Sequence, residues 1–313
     1  MASYLVTGGA GFIGSHVVEK LLQEGEKVRV IDNFSTGKKE NLEPFSQKIE
    51  LIDADIKDMV SVKRAVNDVD YVVHVAAQRS VPLSIDDPIG CNNNNINATL
   101  NILLASRDAG VKRVVFVSSS SVYGNQDVFP QSETLPPCPI SPYAASKLAG
   151  EYYCSVFHTV YGLETVSLRY FNVFGPRQDP KSQYANVIPL FINAALRNKP
   201  VEIHGDGLQS RDFTYISDTV RATLLAAKAP QAAGYSFNVG NGETHSIMDI
   251  VHGIEEITGR PLRYSHTEPR KGDPRCTMAD ISKAKKFLGY TAKVSFKEGL
   301  KKTWDWFSAK TLV

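Results

Sequence analysis

Gly8-Gly9-Ala10-Gly11-Phe12-Ile13-Gly14 decides the fold. The stretch follows the apolar run Tyr4 to Thr7 and opens the segment Gly14 to Glu24, which carries Val17, Val18, Leu21 and Leu22 on one side and stops at Gly25. That pattern predicts a strand, a tight turn and an amphipathic helix ended by a glycine. Glycine at 8, 11 and 14 lets the chain turn sharply, lets backbone approach a pyrophosphate and lets helix pack on strand. The helix N-terminus then supplies N–H groups and a favourable dipole to the anion. A second strand, Val28 to Asp32, ends in a carboxylate 18 residues after Gly14. A carboxylate there accepts bonds from the adenosine ribose and repels a 2′-phosphate, which favours NAD over NADP. Lys38 and Lys39 read as a solvated surface pair. Gly8, Gly11, Phe12, Ile13, Gly14, Asp32, Asn33, Ser35, Thr36 and Gly37 are the candidate cofactor contacts of this first unit.

Working outward, Glu50 to Asp53, Tyr71 to Val75, Val114 to Ser118 and Thr165 to Arg169 are short and nearly all apolar. Such runs fit parallel strands covered on both faces, and their alternation with helical segments predicts an α/β, doubly wound Rossmann sheet. No repeat of solenoid length interrupts it. After about Asn172 the pattern changes to a polar stretch, a helix from Pro189 to Arg197, a strand from Val201 to Ile203 and the turn Gly205-Asp206-Gly207. A helix from Ile216 to Ala227, a strand near Ser236 to Val239, a helix from Ser246 to Thr258 and a basic C-terminal helix complete the chain. Residues 1–172 are expected to form the dinucleotide domain, which also receives parts of 204–240. Residues 173–313 form a smaller substrate-binding α/β region, with a cleft between the two.

Composition narrows the classes. The 313 residues are 42% hydrophobic, which supports a packed core and excludes disordered and collagenous chains. A net charge of +2 offers no field for nucleic acid or an anionic membrane surface. No apolar run approaches 18 residues, and the N-terminus enters a strand without a signal-like segment. Cys91, Cys138, Cys154 and Cys276 are scattered and lack a Cys-x-x-Cys pair, so free thiols in a cytoplasmic setting are expected. The histidines show no metal-ligand spacing with the cysteines, so no metal is expected, and His74 reads as structural.

Chemistry enters at Tyr143 and Lys147, four apart in SPYAASKLAGEYY and therefore on one helix face. A tyrosine hydroxyl has a pKa near ~10, so a neighbouring ammonium and a positive nicotinamide are expected to favour its phenolate. It would then take a proton from a substrate hydroxyl as hydride leaves the same carbon. Ser118-Ser119-Ser120-Ser121 follows the fifth strand and brings hydroxyls to the same crevice. Asp55-Ile56 and Ala76-Ala77-Gln78 lie after the third and fourth strands, where a cofactor crosses the sheet.

GGAGFIG, Asp32, HVAAQ (74–78), SSSSVYG (118–124) and YAASK (143–147) together resemble the extended short-chain dehydrogenase/reductase family. RYFNVFGPRQDP (169–180), ANVIP (185–189), HGDGLQSRDFTYISD (204–218) and ADISKA (279–284) resemble its nucleotide-sugar branch, in particular its UDP-hexose and UDP-N-acetylhexosamine 4-epimerases. The resemblance implies that Ser119, Tyr143 and Lys147 are catalytic and that Ser118, Asn95, Phe171 and Val173 adjoin the cofactor. It implies that Ser120, Ser121, Asn172, Asn186, Val187 and Asp273 meet the substrate and that Arg211 and Arg270 clamp its diphosphate. It also implies a homodimer formed through helices Thr99 to Asp108 and Tyr143 to Tyr161.

The same comparison separates reactions. Dehydratases of the branch carry Thr-Asp-Glu where Ser119, Ser120 and Ser121 stand, and its decarboxylases usually carry Glu at the Ser121 position. Their absence points to redox-neutral C4 epimerisation of a UDP-sugar. Thr277 occupies the position resembling the gate over the C2 substituent, and its small size predicts that N-acetylated UDP-sugars enter, with UDP-glucose/UDP-galactose turnover alongside. UDP-glucuronate 4-epimerisation or decarboxylation is the alternative, although uronate members tend to have Thr where Asn172 sits. A noncatalytic NAD-sensing protein is disfavoured because Tyr143 and Lys147 are both present.

Overall fold

The structure, a computed structural model, describes residues 1–180, 186–269 and 274–311. Its centre is a sheet of seven parallel strands: β1 (Ser3–Thr7), β2 (Lys27–Asp32), β3 (Ile49–Asp53), β4 (Tyr71–His74), β5 (Arg113–Ser119), β6 (Glu164–Tyr170) and β7 (Ser236–Val239). They run in the order β7-β6-β5-β4-β1-β2-β3. Thr7 pairs with Ile31 on one side and His74 on the other, so the order reverses at β1 and opens a crevice at the strand carboxyl ends.

Both faces of the sheet are buried. Tyr4 and Val6 join Val17, Val18 and Leu21 in one core, while Leu5 between them joins Ile31, Val72, Ile102 and Phe116 on the opposite face. That period-two alternation with no exposed partner is why the strands read as continuous apolar runs. The first core continues into Phe174, Tyr215, Phe237 and Phe296, so residues beyond 172 pack into the sheet layer. β7 is the seventh strand itself, and the helix Ile216–Lys228 lies against the first helix.

The boundaries differ from the sequence reading in instructive places. The first helix begins at Phe12, two residues early, and ends at Gln23. The asparagine run 92–95 is helical throughout, with a widened π turn over Asn93–Asn97 between two α-helices. Asn95 there is 2% exposed and bonded on three sides, and those tertiary contacts override the weak helix propensity of asparagine. His74 is buried between Thr7 Oγ1 (2.8 Å) and Thr99 Oγ1 (2.9 Å), and burial pushes its pKa down to about 3, in line with a structural role. No helix among the described residues is long and apolar enough to cross a membrane.

Candidate active site

A cleft of about 1040 Å³ runs over the carboxyl edge of the sheet from β2 to β5 and under the C-terminal region. Its floor is the glycine turn. Gly8 adopts φ +67°, and a Cβ there would lie 2.8 Å from the Cα of Ala76. A Cβ on Gly14 would run into the backbone carbonyl of Gly8, and one on Gly37 would lie 2.8 Å from Ala10 Cβ. The helix Phe12–Gln23 has no side-chain cap, so its first turn faces the cleft as backbone alone. This cradle fits a dinucleotide pyrophosphate and little that is bulkier. Gly14→Ala is therefore expected to abolish NAD retention, as read by the nucleotide released on denaturing the purified enzyme; a variant that keeps its NAD would contradict the cradle.

Asp32 closes the adenosine end. Its Oδ2 accepts the Ala10 N–H and its Oδ1 the Phe34 N–H, each at 2.8 Å, and burial raises its pKa against those bonds. Asp55 accepts the Asn33 amide (2.9 Å) and the Lys57 N–H (2.8 Å); burial opposes them, but these bonds hold its carboxyl below the usual range. Asn33, Ser35, Thr36, Gly37, Ile56, Ala76, Ala77 and Gln78 line the same end or the crossing to β4. Lys39 pairs with Asp53 at 3.3 Å. Lys38 is exposed as well, at the rim of the cleft, and bridges to Asp179 at 3.4 Å.

The reacting end is built from β5 and the helix Pro142–Tyr161. Ser141 caps that helix by accepting the Ala144 N–H, and Pro142 supplies a pre-set first residue. One turn in, Tyr143 and Lys147 face β5. Tyr143 hydrogen-bonds Ser119, and Lys147 Nζ donates to the Val117 carbonyl at 2.8 Å. Ser119 also accepts the Ser121 N–H at 3.2 Å. Burial raises the Tyr143 pKa, opposed by Ser119 and by the charge of Arg79; Lys147 Nζ lies 6.0 Å from the phenol ring centroid. Burial also pushes Lys147 itself down to about 8. The protein alone thus holds Tyr143 as a hydrogen-bonded phenol.

On the opposite wall, Asn172, Val173, Asn186, Arg211 and Thr277 line the cleft. Arg211 is 8% exposed, and its strand pairs with Thr277 in register. Asp212, next to it, accepts the N–H groups of Asn241, Gly242 and Ala279 and so ties two segments, 241–242 and 279, to this wall. Among the described residues, the buried Ser121 Oγ, Gln178 Oε1 and Thr277 Oγ1 have no hydrogen-bond partner, and all three residues line the cleft. Unpaired buried oxygens at one site mark where a ligand supplies partners.

Three residues stand apart from the cleft lining. Phe171 is fully buried against Val122 and Tyr123, because alternation along the chain turns it inward where Asn172 turns out. Asn95 reaches the site through Gln78, accepting its N–H at 2.8 Å and donating to its carbonyl at 3.0 Å. Val187 begins the helix Val187–Leu196 and does not line the cleft. Arg270 and Asp273 lie outside the described residues. Sequence reasoning missed Arg79, Arg177 and Gln178, which line the cleft. Arg177, in left-handed backbone (φ +66°), donates to Glu19 at 2.5 Å and so ties the wall to the first helix.

Residues 4–240 match the model of the NAD dependent epimerase/dehydratase family. A putative UDP-glucose 4-epimerase of Methanocaldococcus jannaschii is 39% identical over 304 residues, covering 96% of this chain and 97% of its own. The structure of a UDP-N-acetylglucosamine 4-epimerase from Methanobrevibacter ruminantium, in complex with UDP-N-acetylmuramic acid, superposes with a TM-score of 0.95 at 40% identity over 99% of both chains. The UDP-glucose 4-epimerase of Thermus thermophilus in complex with NAD gives 0.89 at 39% identity, covering 97% of this chain and 98% of its own. With the glycine cradle, Asp32 and the Tyr143–Ser119 pair in place, the chain belongs to the NAD dependent epimerase/dehydratase family and is an NAD-dependent enzyme.

Proposed function

We propose that this enzyme interconverts UDP-N-acetylglucosamine and UDP-N-acetylgalactosamine by inversion at C4, with UDP-glucose and UDP-galactose as further substrates. The chain is an NAD-dependent UDP-sugar 4-epimerase. NAD, when bound, supplies a hydride acceptor that returns what it takes, together with a positive ring that favours the phenolate. Tyr143 takes the proton from the sugar O4 and gives it back, while Ser119, bonded to it, orients the same oxygen. Ser120 and Ser121 bring hydroxyls where a carboxylate pair would be needed to expel water. Arg211, planar and nearly dry, suits one face of the diphosphate.

Thr277 carries the choice of sugar. It is 8% exposed, lines the cleft beside Arg211, and its Oγ1 is unpaired among the described residues. A small side chain there leaves room for an acetamido group, and its hydroxyl has a bond to offer. Thr277→Tyr is expected to lower kcat/KM for UDP-N-acetylglucosamine by roughly 100-fold and to leave UDP-glucose within about tenfold, the size expected when added bulk meets a well-packed substituent. Equal losses on both sugars would contradict the reading.

Helix Pro142–Tyr161 leaves Tyr152, Val156, Val160 and Tyr161 between 46% and 66% exposed, a strip suited to a homodimer contact with the neighbouring helix Ala98–Asp108. The working form is accordingly proposed to be a homodimer.

A further inference from the structure

Tyr143 stands second in the helix Pro142–Tyr161, in the first turn, where backbone N–H groups find no partner within the helix. Pro142 carries no N–H, and Ser141 accepts that of Ala144 at 3.2 Å. The Tyr143 N–H is taken from another part of the chain: it donates to Ser84 Oγ at 3.1 Å. Ser84 is fully buried, and its hydroxyl is oriented. It donates its own proton to the Val81 carbonyl at 2.6 Å and so turns a lone pair to the Tyr143 N–H. The short helix Val81–Asp86 that carries it is capped in turn by Ser80, which accepts the Leu83 N–H at 3.2 Å.

The other polar group of the Tyr143 backbone is held too. Its carbonyl accepts the Ser146 hydroxyl at 2.7 Å, and Ser146 accepts the Asn95 amide at 2.9 Å. Asn95 grips both backbone groups of Gln78, at 2.8 and 3.0 Å. Gln78 and Ser84 belong to one stretch of chain after β4. That stretch therefore holds Tyr143 by its N–H directly and by its carbonyl through Asn95 and Ser146. A residue fixed at both backbone groups has its Cα fixed, and the helix then sets the direction of its ring. Ser141 already caps this helix from within the chain. Ser84 adds its bond at the one residue of the turn whose hydroxyl is proposed to react.

We propose that Ser84 is a positioning residue for the C4 epimerisation, fixing the Tyr143 backbone so that the phenol meets the sugar O4 at reacting distance. The inference rests on the proposed role of Tyr143 as acid and base. Misplacing a reacting group by about 1 Å costs on the order of 10²-fold in rate. Ser84→Ala leaves the Tyr143 N–H without its partner. Ser84→Cys nearly keeps the volume but offers only a weak acceptor.

The test measures kcat and KM in the native enzyme, Ser84→Ala, Ser84→Cys, Tyr143→Phe and the double variant Ser84→Ala/Tyr143→Phe. The substrate is whichever of UDP-N-acetylglucosamine and UDP-glucose the native enzyme turns over faster, and NAD content and unfolding midpoint are followed alongside. In both Ser84 variants kcat is expected to fall roughly 10- to 100-fold, with KM within about threefold of native and NAD retained. The double variant is expected to lose nothing beyond Tyr143→Phe, because no hydroxyl is left to position. A cap that merely steadied the helix would lower the double variant by the same factor again. That result, or a kcat within about threefold of native in both Ser84 variants, overturns the inference. An inactive Tyr143→Phe beside an unaffected Ser84→Ala sinks the positioning role alone. Near-native turnover by Tyr143→Phe sinks the acid/base role of Tyr143, and the inference with it.

Discussion

Tyr143→Phe is expected to lower C4 epimerisation by roughly 10²- to 10⁴-fold while the purified protein keeps its NAD and its unfolding midpoint. Only the hydroxyl is removed. The ring stays on the first turn of the helix, whose capping by Ser141 does not involve the phenol. Ser119 remains, but a serine hydroxyl is a far weaker base than a phenolate and cannot accept the O4 proton at neutral pH. The size of the loss is informative because the chain's own groups do not make Tyr143 acidic. Burial raises its pKa, and Lys147 Nζ points to the Val117 carbonyl. A positive nicotinamide, when bound, would favour the phenolate. Progress curves on UDP-N-acetylglucosamine with coupled detection of the C4 epimer would check this, and near-native turnover would remove Tyr143 from the chemistry.

The second large effect concerns stability. Arg169 and Glu151 form an ion pair at 2.7 Å with side chains only 6% and 3% exposed. Glu151 lies one turn beyond Lys147 and also accepts a hydrogen bond from Ser118, the residue before Ser119. Arg169 on β6 donates onward to the Tyr123 hydroxyl at 2.9 Å, and Tyr123 donates to Asn238 on β7 at 2.7 Å. The network therefore locks β5, β6, β7 and the catalytic helix together beneath the serines. Arg169→Met leaves the Glu151 carboxylate buried without its cation and is expected to cost about 3–5 kcal/mol in urea unfolding. Adding Glu151→Leu should recover part of that loss, because removing both charges abolishes the uncompensated one. A single variant as stable as the native chain would show that the pair contributes nothing.

How much of this was readable beforehand follows from which forces leave a mark in sequence. Parallel strands covered on both faces are mostly apolar, so β1, β2 and β4 to β6 stand out through runs such as Val114 to Val117. The two-residue pairings Ser210–Arg211 with Cys276–Thr277 and His245–Ser246 carry no such signature, because tertiary packing alone fixes them. At the site, the glycines and the Tyr143/Lys147 spacing were legible because geometry demands those residue types. The direction of the Tyr143 pKa was not, since burial cannot be read from a spacing of four. Arg79 was equally silent: an arginine after Gln78 acquires meaning only once the β4 connection folds over the cleft.

Following the hydrogen at C4 tests the mechanism most directly. UDP-N-acetylglucosamine deuterated at C4, incubated with the enzyme in ordinary water and analysed by NMR, should give UDP-N-acetylgalactosamine with the deuterium still on C4 and no accumulation of NADH. Replacement of that deuterium by solvent hydrogen, or NADH build-up in step with loss of sugar, would contradict a hydride lent and returned within one site.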